Sequence, residues 1–195
     1  MQTLDPSTYR HTRWKNGGGA TTEAFTLPAG ATLDTFDLRV SLARVEADGP
    51  FSEFHGIDRT LVVTEGAGLT LATADGAHVT LDTASPPFAF TGDDPVHATL
   101  REGAVADLNV MTRRSAMQHT ATRIVLEDAR SLDVLGELTL LVVLEGAATL
   151  AGDGVDVAID RGDIVVLSRD ESLVARSSSE ETPATLLLID VFRRA

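Results

Sequence analysis

Residues Leu61 to Leu71 read LVVTEGAGLTL, and Leu141 to Leu150 read LVVLEGAATL. In each, an apolar run enters a Glu-Gly turn and leaves as a second apolar run, the pattern of two β-strands joined by a tight connection. The copies lie about eighty residues apart, and each is followed by a further turn, Asp75-Gly76 or Asp153-Gly154, and then by alternation such as Val155, Val157 and Ile159. Two related β modules in tandem account for this repeat. The chain is therefore read as all-β, with modules near residues 1–115 and 116–195. The polar segment Thr112 to Arg123, without a clear strand pattern, is expected to connect them.

Period two continues outside the repeat. Arg39, Ser41, Ala43 and Val45 fall on one face of a strand, opposite Val40, Leu42 and Arg44; Asp107, Asn109 and Met111 oppose Leu108 and Val110. Turn formers recur at short intervals, among them Asp48-Gly49-Pro50, Pro86-Pro87 and Arg161-Gly162-Asp163, as hairpins in a sandwich or small barrel require. The 195 residues, 43% hydrophobic and 23% charged, suffice for a real core and exclude a disordered chain. A formal charge of −13 repels phosphate backbones and anionic lipid, so neither nucleic acid nor a membrane is an expected partner. No stretch approaches the ~20 apolar residues of a membrane helix. Met1 to Trp14, with Asp5, Arg10 and Arg13, lacks the apolar run of a secretory signal. The absence of cysteine rules out disulfides, thiolate nucleophiles and thiolate metal sites. A soluble cytoplasmic protein is expected.

Familiar catalytic and metal motifs are missing. The histidines His11, His55, His78, His97 and His119 include no His-x-His or His-x-x-x-His pair, and none follows Leu138. No metal or other cofactor is expected, with an oxygen-rich set of Glu53, His55 and Asp58 as the alternative. Gly17-Gly18-Gly19 lacks the Lys-Ser/Thr of a phosphate loop and no G-x-S-x-G elbow exists, so no catalytic residue is assigned.

Polarity on strands with an apolar reverse side is more informative. Arg39 projects with Ser41, and Asp107 with Asn109. Such a set faces either water or a barrel interior, where charge is costly unless it is paired or meets a ligand. The segment Trp14-Lys15-Asn16-Gly17-Gly18-Gly19 sets the only tryptophan beside an amide and three glycines. It reads either as a plug over a tight turn or as an aromatic wall with close backbone amides around a small molecule. A third cluster, GPFSEFHGIDR at Gly49 to Arg59, reads as a loop anchored by Phe51 and Phe54.

Taken in order, these clusters resemble the HutD/Ves family of bacterial bicupin proteins. The resemblance rests on WKNGGGATTE at Trp14 to Glu23, FDLRVSLARVEADGPFSEFHGIDR at Phe36 to Arg59, PFAFTGD at Pro87 to Asp93 and DLNVMTRR at Asp107 to Arg114. It departs at His55, where the family more usually has proline. It implies two cupin-like β-barrels in one chain and brings no established reaction. For the histidine-utilisation branch it implies a regulatory role, through an acidic intermediate such as N-formylglutamate; the other branch is associated with cold and stress response.

An acidic ligand needs fixed cations, and arginine offers a planar fork to a carboxylate. Arg39, Arg59 and Arg113 are the candidates. Each charge-assisted bond contributes about 1.5–3 kcal/mol, so three or four support micromolar binding after ordering costs. The expected site lies in the first module and comprises Trp14, Asn16, Gly17, Arg39, Ser41, Arg59, Asp107, Asn109 and Arg113, with the second module as a brace. Competing readings are internal pairing of Arg39 with Asp107 and Arg59 with Asp58, a metal-dependent cupin enzyme (isomerase or dioxygenase), and a filled structural or interaction module. Open sheet edges would allow a homodimer, though no residue marks one.

Overall fold

The two copies of the repeat are where the chain passes from one sheet to another. The structure, a computed structural model, describes every residue except Asn16, Asp153, Asp170, Glu171, Glu180 and Ala195. Apart from one turn of 3-10 helix at Pro6–Thr8, the regular elements of the described residues are strands. These are β1 (Gln2–Thr3), β2 (Arg10–Arg13), β3 (Gly19–Leu27), β4 (Leu38–Val45), β5 (Gly49–Pro50), β6 (Ile57–Glu65), β7 (Leu69–Ala72), β8 (His78–Leu81), β9 (Phe88–Thr91) and β10 (His97–Leu100). They continue with β11 (Val105–Arg113), β12 (Met117–Leu126), β13 (Arg130–Asp133), β14 (Leu138–Glu145), β15 (Ala147–Gly152), β16 (Val155–Asp160), β17 (Ile164–Ser168), β18 (Ser172–Ser177) and β19 (Ala184–Arg193). The protein is all-β, and no helix is long and apolar enough to cross a membrane.

Two compact units form, one from Ser7–Gln118 with Arg194 and the other from Met1–Pro6 with His119–Arg193. In the first, one sheet runs β2-β3-β4-β11-β6-β9 and the other β5-β10-β7-β8. Leu61, Val63 and Val105 of the larger sheet pack with Leu69, Leu71, Leu81 and Ala98 of the smaller. In the second unit the orders are β1-β17-β14-β19-β12 and β13-β18-β15-β16, and Leu141, Val143, Leu150, Ile159, Leu167 and Leu186 share one core. Burial of a Leu, Ile or Val side chain contributes about 1.5–3 kcal/mol, so these facing apolar sets bind each pair of sheets.

Two expectations change. Thr112 to Arg123 is no linker, because Thr112 and Arg113 close β11 and Met117 opens a ten-residue strand. Its half-buried positions include His119, Ala121 and Arg123, which hid the alternation. The first residues, assigned from sequence to the first module, pair in the second unit, with Gln2 opposite Val166 and Thr3 opposite Val165. A two-residue strand carries no hydrophobic period to read.

Candidate functional site

Strand β11 lies between β4 and β6, and register decides which side chains meet. Asn109 stands opposite Ser41 and Leu61, and Met111 opposite Arg39 and Arg59. Because opposed residues share a face, Arg39, Ser41, Arg59, Asp107 and Asn109 come together along a cleft of about 1090 Å³. Val40, Leu108 and Val110 are buried on the reverse side. The polar set thus belongs to an interior: Arg39 is 9% exposed, Arg59 7% and Asp107 0%.

Arg39 is held through two of its three nitrogens. Its Nε donates to Glu23 Oε2 at 2.7 Å and its Nη1 to Ser41 Oγ at 3.1 Å, with Met111 Sδ at 3.6 Å. Among the described residues nothing accepts from Nη2, which leaves an open donor. Glu23 also accepts from Arg10 Nε at 2.9 Å and from Arg10 Nη2. Burial works to raise the Glu23 carboxyl, but the bonds from Arg39 and Arg10 outweigh it and hold it below its ordinary value.

Arg59 sits among three rings, 4.8 Å from the centroid of Phe90 and 5.5 Å from those of Phe51 and Phe54. Its Nη1 donates to Ser52 O at 3.1 Å and its Nη2 to Asn109 Oδ1 at 2.8 Å. Asn109 Nδ2 in turn donates to Asp107 Oδ1. Arg59 Nε and Asp107 Oδ2 are both buried without a hydrogen-bond partner. Burial pulls the Arg59 guanidinium down to about 10, against Asp107 and with help from Arg39. Burial likewise pushes the Asp107 carboxyl up to about 7, against Arg59 and the Asn109 bond.

The loop carrying Phe51 and Phe54 is tied down. Phe51 N donates to Val96 O at 2.8 Å, Phe54 N to Gly92 O at 2.7 Å and Gly56 N to Asp93 Oδ1 at 2.7 Å. Arg114 clamps its base, donating to Asp58 Oδ1 and Asp93 Oδ2, each at 2.8 Å. The cleft as a whole is cationic: Arg10, Arg13, Lys15, Arg39 and Arg59 line it against the carboxylates Glu23 and Asp107, in a chain of net charge −13.

Trp14 forms part of the wall, half-buried, with Nε1 donating to Thr21 Oγ1 at 2.8 Å. A Cβ on Gly19 would stand 3.1 Å from the Trp14 ring and 2.2 Å from Arg44 O, so only glycine permits this approach. Gly17 turns the β2–β3 hairpin at φ +74° and does not line the cleft. Asn16 lies outside the described residues. Arg113, the last residue of β11, points away to the loop before β4: it donates to Phe36 O at 3.0 Å and Asp34 O at 2.9 Å, and pairs with Asp37 at 3.4 Å.

Neither competing arginine pairing occurs, since Arg39 takes Glu23 and Asp58 takes Arg114 and Arg194. His55 lies 3.7 Å from Asp93, and among the described residues no three metal-ligating side chains cluster. Glu23 and Phe90, both inside quoted motifs, had no role in the sequence reading. The alternation of Phe88 and Phe90 was a signal for the second; the first depends on the β3–β4 register, which sets it opposite Ser41 just before a bulge and which no residue pattern announces.

The sheets and the cleft together define an all-β, cupin-like protein with a cationic, aromatic-walled cleft in one unit. A Cupin 2 conserved barrel domain protein from Leptotrichia buccalis matches the fold with a TM-score of 0.61 at 14% identity, over 93% of this chain and 96% of that one. The HutD family model matches residues 6–184, and the chain belongs to the HutD family. A conserved protein of unknown function from Pseudomonas aeruginosa PAO1 superposes with a TM-score of 0.87 at 27% identity, over 98% of both chains. HutD from Pseudomonas fluorescens SBW25 does so with 0.82 at 23% identity, over 100% of this chain and 99% of that one. Protein Ves of Citrobacter koseri is 42% identical over 102 residues, 52% of each chain. An uncharacterized 21.2 kDa protein in the hutC 3′ region of Pseudomonas putida is 38% identical over 111 residues, 57% of each. The chain thus spans about half the length of the curated relatives it matches.

Proposed function

We propose that this chain binds a small acidic metabolite without turning it over, and that it acts as a regulator in histidine utilisation or a related stress response. The observation that carries the reading is Arg39, a nearly buried guanidinium whose Nη2 has no acceptor among the described residues while Glu23 holds its Nε and Ser41 its Nη1. A carboxylate completes that fork. Such a bond contributes about 1.5–3 kcal/mol, and the exposed Arg13 and Lys15 on the same cleft offer a second acidic group its own partner.

N-formylglutamate, with two carboxylates, fits this distribution of charge. Membership of the HutD family and the Pseudomonas putida relative from the hutC region favour the histidine-utilisation branch. The facing sheets of each unit and the cupin-type neighbours support reading the units as two cupin-like barrels. A cleft of about 1090 Å³ speaks against a module filled by its own side chains.

Isothermal titration with N-formylglutamate, glutarate and other small dicarboxylates tests the proposal. Micromolar binding by wild type that weakens at least tenfold in R39A supports it. Absence of binding by every acid overturns it.

A further inference from the structure

The acidic-ligand reading leaves one group without employment, the Asp107 carboxyl, sealed at the base of the cleft. We propose that Asp107 is a positioning residue that couples ligand capture to a proton, so that an anion held by Arg39 within the field of Arg59 is bound together with one hydrogen ion taken from solvent onto Asp107. The inference rests on the proposed function and adds the regulation of that site.

The geometry is a short relay. Arg59 Nη2 donates to Asn109 Oδ1 and Asn109 Nδ2 donates to Asp107 Oδ1, while Asp107 Oδ2 is buried with no donor. In the empty protein the ionised carboxylate depends on the field of Arg59, the charged group it meets from β6. From β4 the nearest cation is Arg39, already paired to Glu23 of β3, which Arg10 of β2 also holds. An arriving carboxylate takes over the same guanidinium field and adds a like charge beside Asp107, where little water screens it. Two anions then compete for the cations, and the buried one is the cheaper to neutralise.

The sign follows from linkage. Asp107 sits near 7 in the free protein and higher in the complex. Below that point the carboxyl is already neutral and binding takes up no proton. Between the free and the bound value each binding event consumes one, so affinity falls as pH rises through that window, by up to tenfold per unit, and levels off above it. Ligand carboxylates titrate near about 4 and Arg59 at about 10, which leaves the neutral range to Asp107; His11, the one histidine lining the cleft among the described residues, supplies the control variant.

The experiment is calorimetric titration of the full chain with N-formylglutamate and with glutarate at about pH 6 and about pH 8.5, and at about pH 7.5 in two buffers of different ionisation enthalpy, which counts protons. Wild type is expected to bind at least tenfold more weakly at the higher pH, with net proton uptake at about pH 7.5. Asp107→Asn should vary less than threefold and bind more tightly than wild type at about pH 8.5; His11→Gln should keep the wild-type profile. The same profile in Asp107→Asn as in wild type, or loss of the profile only in His11→Gln, overturns the proposal. Should Asp107→Asn fail to fold, the proton count in His11→Gln decides, uptake supporting the coupling and its absence refuting it. Binding that is strong but independent of pH sinks this coupling alone, whereas no binding of either acid at any pH sinks the acidic-ligand reading with it.

Discussion

Arg39 Nε donates to Glu23 Oε2 at 2.7 Å across the β3–β4 pair, and the same carboxylate holds Arg10. Glu23 stands opposite Ser41 and Arg39 opposite Thr26, so the bond runs diagonally between the two strands, across the bulge that follows Glu23. The arrangement does two things. It satisfies a nearly buried cation without a ligand, and it does so through Nε, so that Nη2 stays available.

Replacing Arg39 therefore acts on binding more than on folding. R39A is expected to weaken an acidic ligand by about 10- to 150-fold, the equivalent of one charge-assisted bond at about 1.5–3 kcal/mol. R39K retains the charge but loses the fork, and falls between R39A and wild type. Arg10 continues to pair with Glu23 in both variants, so the melting temperature changes by no more than about 4 °C. Calorimetric titration and thermal denaturation check the two halves; a large loss of stability with intact binding would refute the role.

Arg59 behaves in the opposite way, because its guanidinium is packed among Phe51, Phe54 and Phe90 and is the counter-charge of a buried carboxyl. R59A empties the ring cluster and leaves Asp107 without compensation, at a cost on the order of 3 kcal/mol. D107N removes the uncompensated charge, so R59A/D107N is expected to be more stable than R59A at neutral pH. Urea denaturation of the two single variants and the pair gives the coupling, and strict additivity would count against this account.

The same carboxyl sets a pH dependence of stability. Asp107 is raised to about 7 in the folded protein from an unfolded value near about 3.9. Between those values the folded state holds a proton that the unfolded state has released, so stability falls as pH rises through the window and levels off above about 7. Glu23, whose folded value is lowered, has the reverse sign and loses its contribution as pH falls. D107N deletes the first slope: its stability relative to wild type should grow from about pH 5 to about pH 8. The same difference in unfolding free energy between D107N and wild type at those two pH values, measured by denaturant titration, would disprove it.

What the sequence disclosed, and what it hid, divides by the range of the interaction. Arg39 with Ser41, and Asp107 with Asn109, were legible because period two alone sets their face, and β4 and β11 are regular where they pair. The repeat was legible because both Glu-Gly turns join strands of facing sheets. Glu23 stayed silent because the register that sets it opposite Ser41 is a tertiary pairing, interrupted by a bulge just after it. Arg113 misled because its strand continues the same alternation, while the loop before β4 offers it the carbonyls of Asp34 and Phe36. The three rings around Arg59 come from the loop before β6 and from β9, a convergence that no local pattern contains.

That convergence depends on Asp93. Its Oδ1 accepts from Gly56 N at 2.7 Å, and its Oδ2 from Thr91 Oγ1 at 2.6 Å and Arg114 Nη2 at 2.8 Å. These bonds, that of Thr91 foremost, hold its carboxyl far below the ordinary range, so its contribution is complete at neutral pH and fades only in strong acid. The group is solvent-accessible, and the core beneath it is formed by other residues, so its loss acts locally. D93A frees Gly56 N and one arm of Arg114, loosening the segment that presents Phe54 and the Ser52 carbonyl to Arg59. Faster amide hydrogen exchange at residues 51–56 is expected, together with several-fold weaker ligand binding and a nearly unchanged urea midpoint. Exchange rates at 51–56 equal to those of wild type would show that Asp93 does not hold the loop.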